Sequence, residues 1–328
     1  MTRVLPWLGV WSVLLVALTT VPARAQSEFL GEHFPYDAFD RLPTTPVGIG
    51  ASTLNVAFAP GEIELPRGAI MDWLATSAKA VSVYFGKFPV ASARVLIVPV
   101  PGSGVQGGTT FGYRGAAIRL VVGSKVTEAE FRDDWKAVHE MTHLALPDVE
   151  DSHLWLAEGI ATYVEPVARV EAGDLTAEKI WGDMLRDMPK GLPQDGDRGL
   201  DHTPTWGRTY WGGAMFCLLA DVEIRKKTGN AKGLQQALRG IVDSGGNHEQ
   251  DWHEWPIERI FSVGDKATGT TVLSDLYKTM RARPYAPDLN ALWRDLGVSV
   301  QQGRVVFDDN APLAAIRRAI TTAPAVKN

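Results

Sequence analysis

The sequence predicts an α+β fold, with strands gathered early in the chain and helices following to its end. Three observations predict it. The chain has 328 residues and is 45% hydrophobic, enough apolar material for a sizeable core. Segments 93–100 (ARVLIVPV) and 116–122 (AAIRLVV) are dense in Val, Ile and Leu, as buried strands are. From residue 127 onward the apolar positions recur at helical spacing.

Taken in order, Met1–Arg3 gives a short positive start, and 4–21 (VLPWLGVWSVLLVALTTV) is a mostly apolar run. It closes on Ala23-Arg24-Ala25, a small-x-small cleavage pattern. We read 1–25 as a signal peptide cut before Gln26, which implies export to a periplasmic or extracellular space with no stable membrane insertion afterwards. An uncleaved anchor is the alternative. Cys217 is the only cysteine, set in an apolar stretch, so neither a disulfide framework nor a lipid-modified cysteine at the cleavage site is expected.

Residues 26–65 are rich in Pro and Gly and read as loops and short strands. Segment 67–85 has helical apolar spacing and stops at Gly86. Between the two apolar strands, 101–115 carries six glycines and reads as a loop or irregular edge. Thr127 with Glu130 is a capping-box start for one helix running to about Leu146. Pro147 and an acidic turn end it, and a second helix begins near Ser152. Further helical patterns lie at 177–188, 209–228, 232–243, 256–263, 271–283 and 287–296. A hairpin is expected around Gln302-Gly303, and a last helix from about Asn310. The chain thus divides into 1–25, a strand-rich region 26–124 with one helix, a helical region 125–265, and a C-terminal helical region 266–328.

Lys and Arg number 33 against 38 Asp and Glu, a formal charge of −5. That excludes nucleic acid or an anionic membrane as a partner recognised mainly by charge.

The chemistry concentrates in His139-Glu140-Met141-Thr142-His143. Histidines four apart share one helix face and can reach a single ion. Zinc suits two imidazole nitrogens and a carboxylate with a fourth position open, so one Zn2+ per chain is expected. Glu140 is then placed to act as general base. The flanking Trp135, Val138, Leu144 and Leu146 are expected to seat this helix in the core. On the next helix Glu158 interrupts an apolar surface of Trp155, Leu156, Ile160 and Tyr163. A carboxylate buried there needs a positive partner, which a metal ion supplies; a Lys or Arg partner is the alternative.

The segments HEMTHLALP (139–147), LWLAEGIATYVEP (154–166) and RTYWGGAMFCLLADVEIRKKTG (208–229) resemble the gluzincin metallopeptidases. The resemblance is strongest to the glycyl aminopeptidase family and more distant to the aminopeptidase N family. It covers roughly residues 84–296. It implies a thermolysin-like catalytic domain with a strand-containing N-terminal lobe and a helical C-terminal lobe. It also implies His139, His143 and Glu158 as zinc ligands and Glu140 as catalytic base. Tyr210, in Tyr210-Trp211-Gly212-Gly213, matches the family's oxyanion-stabilising phenol; His202 is a rival donor.

At the family's glycine-rich substrate edge this chain has Gly107-Gly108-Thr109-Thr110-Phe111. The glycines would let a peptide backbone approach and pair with the edge. Thr110 stands where aminopeptidases place the glutamate that binds the free amine, so endo- and exopeptidase activity both stay open. The expected function is a secreted zinc-dependent peptidase acting on peptide or protein substrates. A non-catalytic peptide-binding protein on the same scaffold is the alternative, and a zinc hydrolase of another substrate a third reading.

Overall fold

The computed structural model describes residues 28–249 and 254–322. The expected signal peptide and its cleavage point lie outside the described residues. No helix among the described residues is long and apolar enough to cross a membrane.

A five-stranded sheet occupies the first part of the chain. Its strands are β1 (Thr44–Ile49), β2 (Ser52–Phe58), β3 (Ser92–Val100), β4 (Val105–Phe111) and β5 (Ala117–Gly123). Their spatial order is β1-β2-β3-β5-β4. β2, β3 and β5 run parallel, while β1 and β4 are antiparallel to their neighbours at the two edges. Parallel strands need a crossover, and helix α2 (Arg67–Phe85) provides the one from β2 to β3, ending at left-handed Gly86.

Alternation along β3 explains why it reads as a continuous apolar run. Val95 and Ile97 join the main core, whereas Leu96 and Val98 face a second cluster on the other side of the sheet. That second cluster is closed by Phe29, Phe34, Tyr36 and Phe39, around the one-turn helix α1 (Tyr36–Phe39). The Pro- and Gly-rich N-terminal region therefore covers one sheet face.

The segment 101–115 is more ordered than its glycines suggested. Residues 105–111 form edge strand β4, with a register shift between Val105 and Gly107. This edge lies beside the helix that carries both histidines.

The helical part runs α3 (Glu128–Asp133), α4 (Lys136–His143), α5 (Leu154–Glu171), α6 (Ala177–Asp187), α7 (Gly213–Lys227), α8 (Leu234–Asp243), α9 (Ile257–Thr268), α10 (Val272–Met280) and α11 (Leu289–Leu296). The hairpin β6 (Val298–Gln301) and β7 (Arg304–Phe307) and helix α12 (Ala314–Ile320) follow. The capping box forms, with both Thr127 and Glu130 engaged. The single helix expected over 127–146 does not: it splits into α3 and α4. Asp134 turns extended there (ψ 134°), and its carboxylate accepts the Ala137 N–H at 3.0 Å, satisfying a donor in the first turn of α4. Val138, Leu144 and Leu146 are buried and seat the helix in the core as expected, whereas Trp135 is 46% exposed.

Candidate metal centre

Helix α4 is only eight residues long, and Val138, Met141 and Thr142 are buried on it. His139 and His143 share the adjoining face, their ring centres 4.9 Å apart. Helix α5 packs against α4, and its buried Trp155, Leu156, Ile160 and Tyr163 fix its rotation. That rotation brings Glu158 Oε2 to 3.1 Å from His139 Nε2 and 3.7 Å from His143 Nε2.

The third contribution depends on two glycines. A Cβ built on Gly159 would lie 2.3 Å from the Gly213 backbone, and one on Gly213 would lie 2.1 Å from the Trp155 carbonyl. Only glycine allows α5 and α7 to come this close. Immediately before α7, residues Gly207–Gly212 form a π-helical turn, a feature often found at functional sites. Tyr210 sits on it, its ring 6.3 Å from His139 and inclined by 22°. Buried Arg208 holds the turn from behind through an ion pair to Asp197 at 2.7 Å and a short hydrogen bond to the Gly191 carbonyl.

Glu140 is 9% exposed and faces β4. Thr110 Oγ1 lies 2.8 Å from both its backbone carbonyl and its carboxylate Oε2. A Cβ on Gly108 would stand 2.6 Å from Glu140 Cγ, so a bare backbone is required there. Gly107, Gly108, Thr109 and Thr110 all line the same cleft as the histidines, Glu158 and Tyr210. His202 is exposed and is not among the residues lining it.

The electrostatics follow from burial and neighbours. Burial pushes the His143 pKa down to about 3, so its imidazole is neutral, the form that binds metal. Burial also raises the Glu140 carboxyl, opposed by the His139 charge and the Thr110 hydrogen bond. For Glu158 burial again pushes upward, but hydrogen bonds from His139 and Tyr210 and the two neighbouring imidazoles together leave it below the ordinary carboxylate range. Burial, with the charges of Glu158 and Glu140, lifts the Tyr210 phenol to about 12.

Among the described residues, His139, His143 and Glu158 are the group able to hold a metal, with one ligand atom from each lying within 4.8 Å of the others. Two imidazole nitrogens and a carboxylate oxygen form the donor set that zinc prefers. The residues therefore fit a zinc ion chemically as well as spatially.

Two features of the cleft have no signal in the sequence. Thr110 is legible as part of the glycine-rich edge, but not its bond to Glu140, which joins residues 30 apart in sequence. His248 enters from the loop after α8 and stands 3.4 Å from Asp148 at one end of the cleft. Trp135 was recoverable: it precedes His139 by one helical turn, and their rings meet edge to face at 5.3 Å.

No protein-family model matches the chain, and no curated protein is similar to it. Its fold is similar to that of a solved structure. An aminopeptidase N family protein from Idiomarina loihiensis superposes with a TM-score of 0.59 at 14% identity, over 80% of this chain and 50% of that one. An M1 zinc metallopeptidase from Deinococcus radiodurans gives 0.47 at 18% identity, over 74% and 52%. The chain spans about half the length of each.

Proposed function

We propose that this protein is a zinc-dependent peptidase of the gluzincin type, thermolysin-like in layout, exported and freed of residues 1–25. The observation that carries the reading is convergence. His139, Glu140 and His143 from α4, Glu158 from α5 and Tyr210 from the π-helical turn meet in one cleft against the free edge of β4. The scaffold shared with an aminopeptidase N family protein supports the same reading.

His139, His143 and Glu158 would hold the metal, which when bound supplies a Lewis acid and lowers the pKa of water. Glu140 takes the proton of the attacking water and delivers it to the departing amine. Its raised pKa suits both halves of that exchange. Thr110 keeps the carboxylate oriented. Tyr210, protonated throughout the neutral range, donates its O–H to the oxyanion that develops on the substrate carbonyl. The backbone of Gly107–Thr110 offers an unpaired strand edge to an extended peptide. With Thr110 in place of a carboxylate, β4 carries no group there to pair with a free amine.

The test is zinc analysis together with peptide hydrolysis in Glu140→Gln. About one zinc per chain with hydrolysis lost supports the assignment, and full hydrolysis by the variant overturns it. Zinc-loaded wild type that binds peptides without cutting them would favour the peptide-binding alternative. A mature N-terminus at any residue other than Gln26 would contradict the proposed cleavage point.

A further inference from the structure

Six large apolar side chains are more than one-third exposed among the described residues: Leu30, Trp135, Leu154, Trp206, Val300 and Val306. Single exposed apolar residues are ordinary on a protein surface. Their placement here is not scattered, because Trp135 and Leu154 line the cleft and Trp206 adjoins it. Trp206 is 60% exposed, and its ring lies 5.9 Å from Tyr210, inclined by 28°. Tyr210 in turn stacks on His139, and His139 meets Trp135 edge to face. The four rings form one aromatic row that runs through the buried ligand residue His139 and ends in an open indole on each side. Exposed aromatic surface of this kind marks a binding site, and indole rings bind at low entropic cost because they have few torsions to lose.

The charges of the cleft are unevenly placed. Its other lining ionic groups include Glu140, Asp148 and Glu158, while Lys136 is the one Lys or Arg among the described residues that lines it. The Lys136 ammonium lies 4.9 Å from the Trp135 ring centre. Lys190 approaches Trp206 to 5.9 Å but is already paired with Asp187 at 2.8 Å. Asp148 and His248 sit at the far end of the cleft, beyond the end of α4. From Trp135 to His143 the cleft follows α4 for about 12 Å, the span of roughly four extended residues.

We infer that the cleft selects peptides carrying a bulky apolar or aromatic side chain at the Trp135–Trp206 row, next to a carboxylate that meets Lys136. The inference rests on the peptidase reading and narrows its substrate class. An acidic side chain and a free chain terminus present the same carboxylate to Lys136.

The experiment uses the full zinc-loaded protein and a set of peptides with Ala, Leu, Phe or Trp at one position beside the cut. A neighbouring Glu or Gln, and a free or amidated C-terminus, complete the set. The expected kcat/KM ratio of Phe to Ala peptides is about tenfold or more. It falls toward one in Trp206→Ala and in Trp135→Ala. The ratio is internal to each variant and so corrects for partial folding; Trp206→Leu and Trp135→Leu, which keep apolar bulk, retain part of it. A gain of about threefold from the carboxylate is expected. It disappears in Lys136→Ala, and loss on Glu-to-Gln exchange or on amidation identifies its source. Cleavage with no preference, or a preference that survives both tryptophan substitutions, overturns the inference and leaves the peptidase reading standing. If wild type cleaves none of these peptides, the peptidase reading fails instead. Tryptophan fluorescence titration with the Phe and Ala peptides then decides the inference, and equal binding of the two overturns it.

Discussion

Thr110 Oγ1 lies 2.8 Å from two oxygens of Glu140, the backbone carbonyl and the carboxylate Oε2. A hydroxyl has a single proton and can give it to only one of them at a time. With Glu140 ionised, Thr110 can donate to the carboxylate. With Glu140 protonated, it can accept from the carboxyl while donating to the carbonyl. The pair therefore holds the carboxylate in place in both of the states that a general base must visit.

Removing this hydroxyl leaves a buried carboxylate short of a partner. Thr110→Val is expected to lower kcat roughly 10- to 100-fold, the value of a hydrogen bond to a charged group. Thr110→Ser should recover most of that loss. Steady-state kinetics on one peptide checks both, and a fully active Val variant would contradict the role.

Tyr210→Phe keeps the ring that stacks on His139 and removes only the donor. If the phenol serves the oxyanion, kcat falls about 10²- to 10³-fold while KM changes little. A rise in KM alone would assign Tyr210 to ground-state binding.

Zinc is expected to stabilise the fold as well as to serve catalysis. At a free concentration about 100 times its Kd, a ligand specific to the native state adds about 2.7 kcal/mol. Chelation should lower Tm and re-addition of zinc restore it. Glu158→Ala should lose the zinc-dependent shift, because one of the three ligand residues is gone. An unchanged shift in that variant would remove Glu158 from the ligand set.

The crossing of α5 and α7 has no room for a methyl group, with a Gly213 Cβ falling 2.1 Å from the Trp155 carbonyl. Gly213→Ala is expected to cost about 1–3 kcal/mol in urea unfolding, as overpacking does. It should also reduce activity more than the lost stability explains, because Tyr210 lies three residues before Gly213. Wild-type stability in this variant would show that the crossing yields easily.

Stability should also vary with pH through Glu171, the last residue of α5. Burial raises its carboxyl to about 8, opposed by hydrogen bonds from Gln235 and by Arg239 and Arg225. Because the folded pKa lies above the unfolded one, the folded chain holds the extra proton between them. The contribution is complete below about pH 4.5 and is lost as pH rises through about 8, with a slope of up to about 1.4 kcal/mol per unit. Urea titrations of wild type and Glu171→Gln from pH 5 to 8 should diverge by that slope. Parallel curves would mean that Glu171 ionises normally.

The sequence alone determined most of the helices, the apolar strands β3 and β5, and the histidine pair, because each rests on a short-range period. His139 and His143 share a face through a four-residue spacing, whatever surrounds them. Glu158 was legible for a related reason: a carboxylate on an apolar helix face stands out against its own neighbours. Tertiary structure decided the rest. Asp134 ended one helix and satisfied a first-turn donor of another because its carboxylate met the Ala137 N–H, a choice the local pattern through Trp135 did not favour. Edge strand β4 gained its order by pairing with β5, which no property of its own glycines specified. Thr110 reached Glu140, and Tyr210 reached His139, across 30 and 71 residues of chain. The Thr110 contact needs the bare backbone of Gly108 beside Glu140, and the Tyr210 contact depends on how closely α5 and α7 pack, a distance set by Gly159 and Gly213.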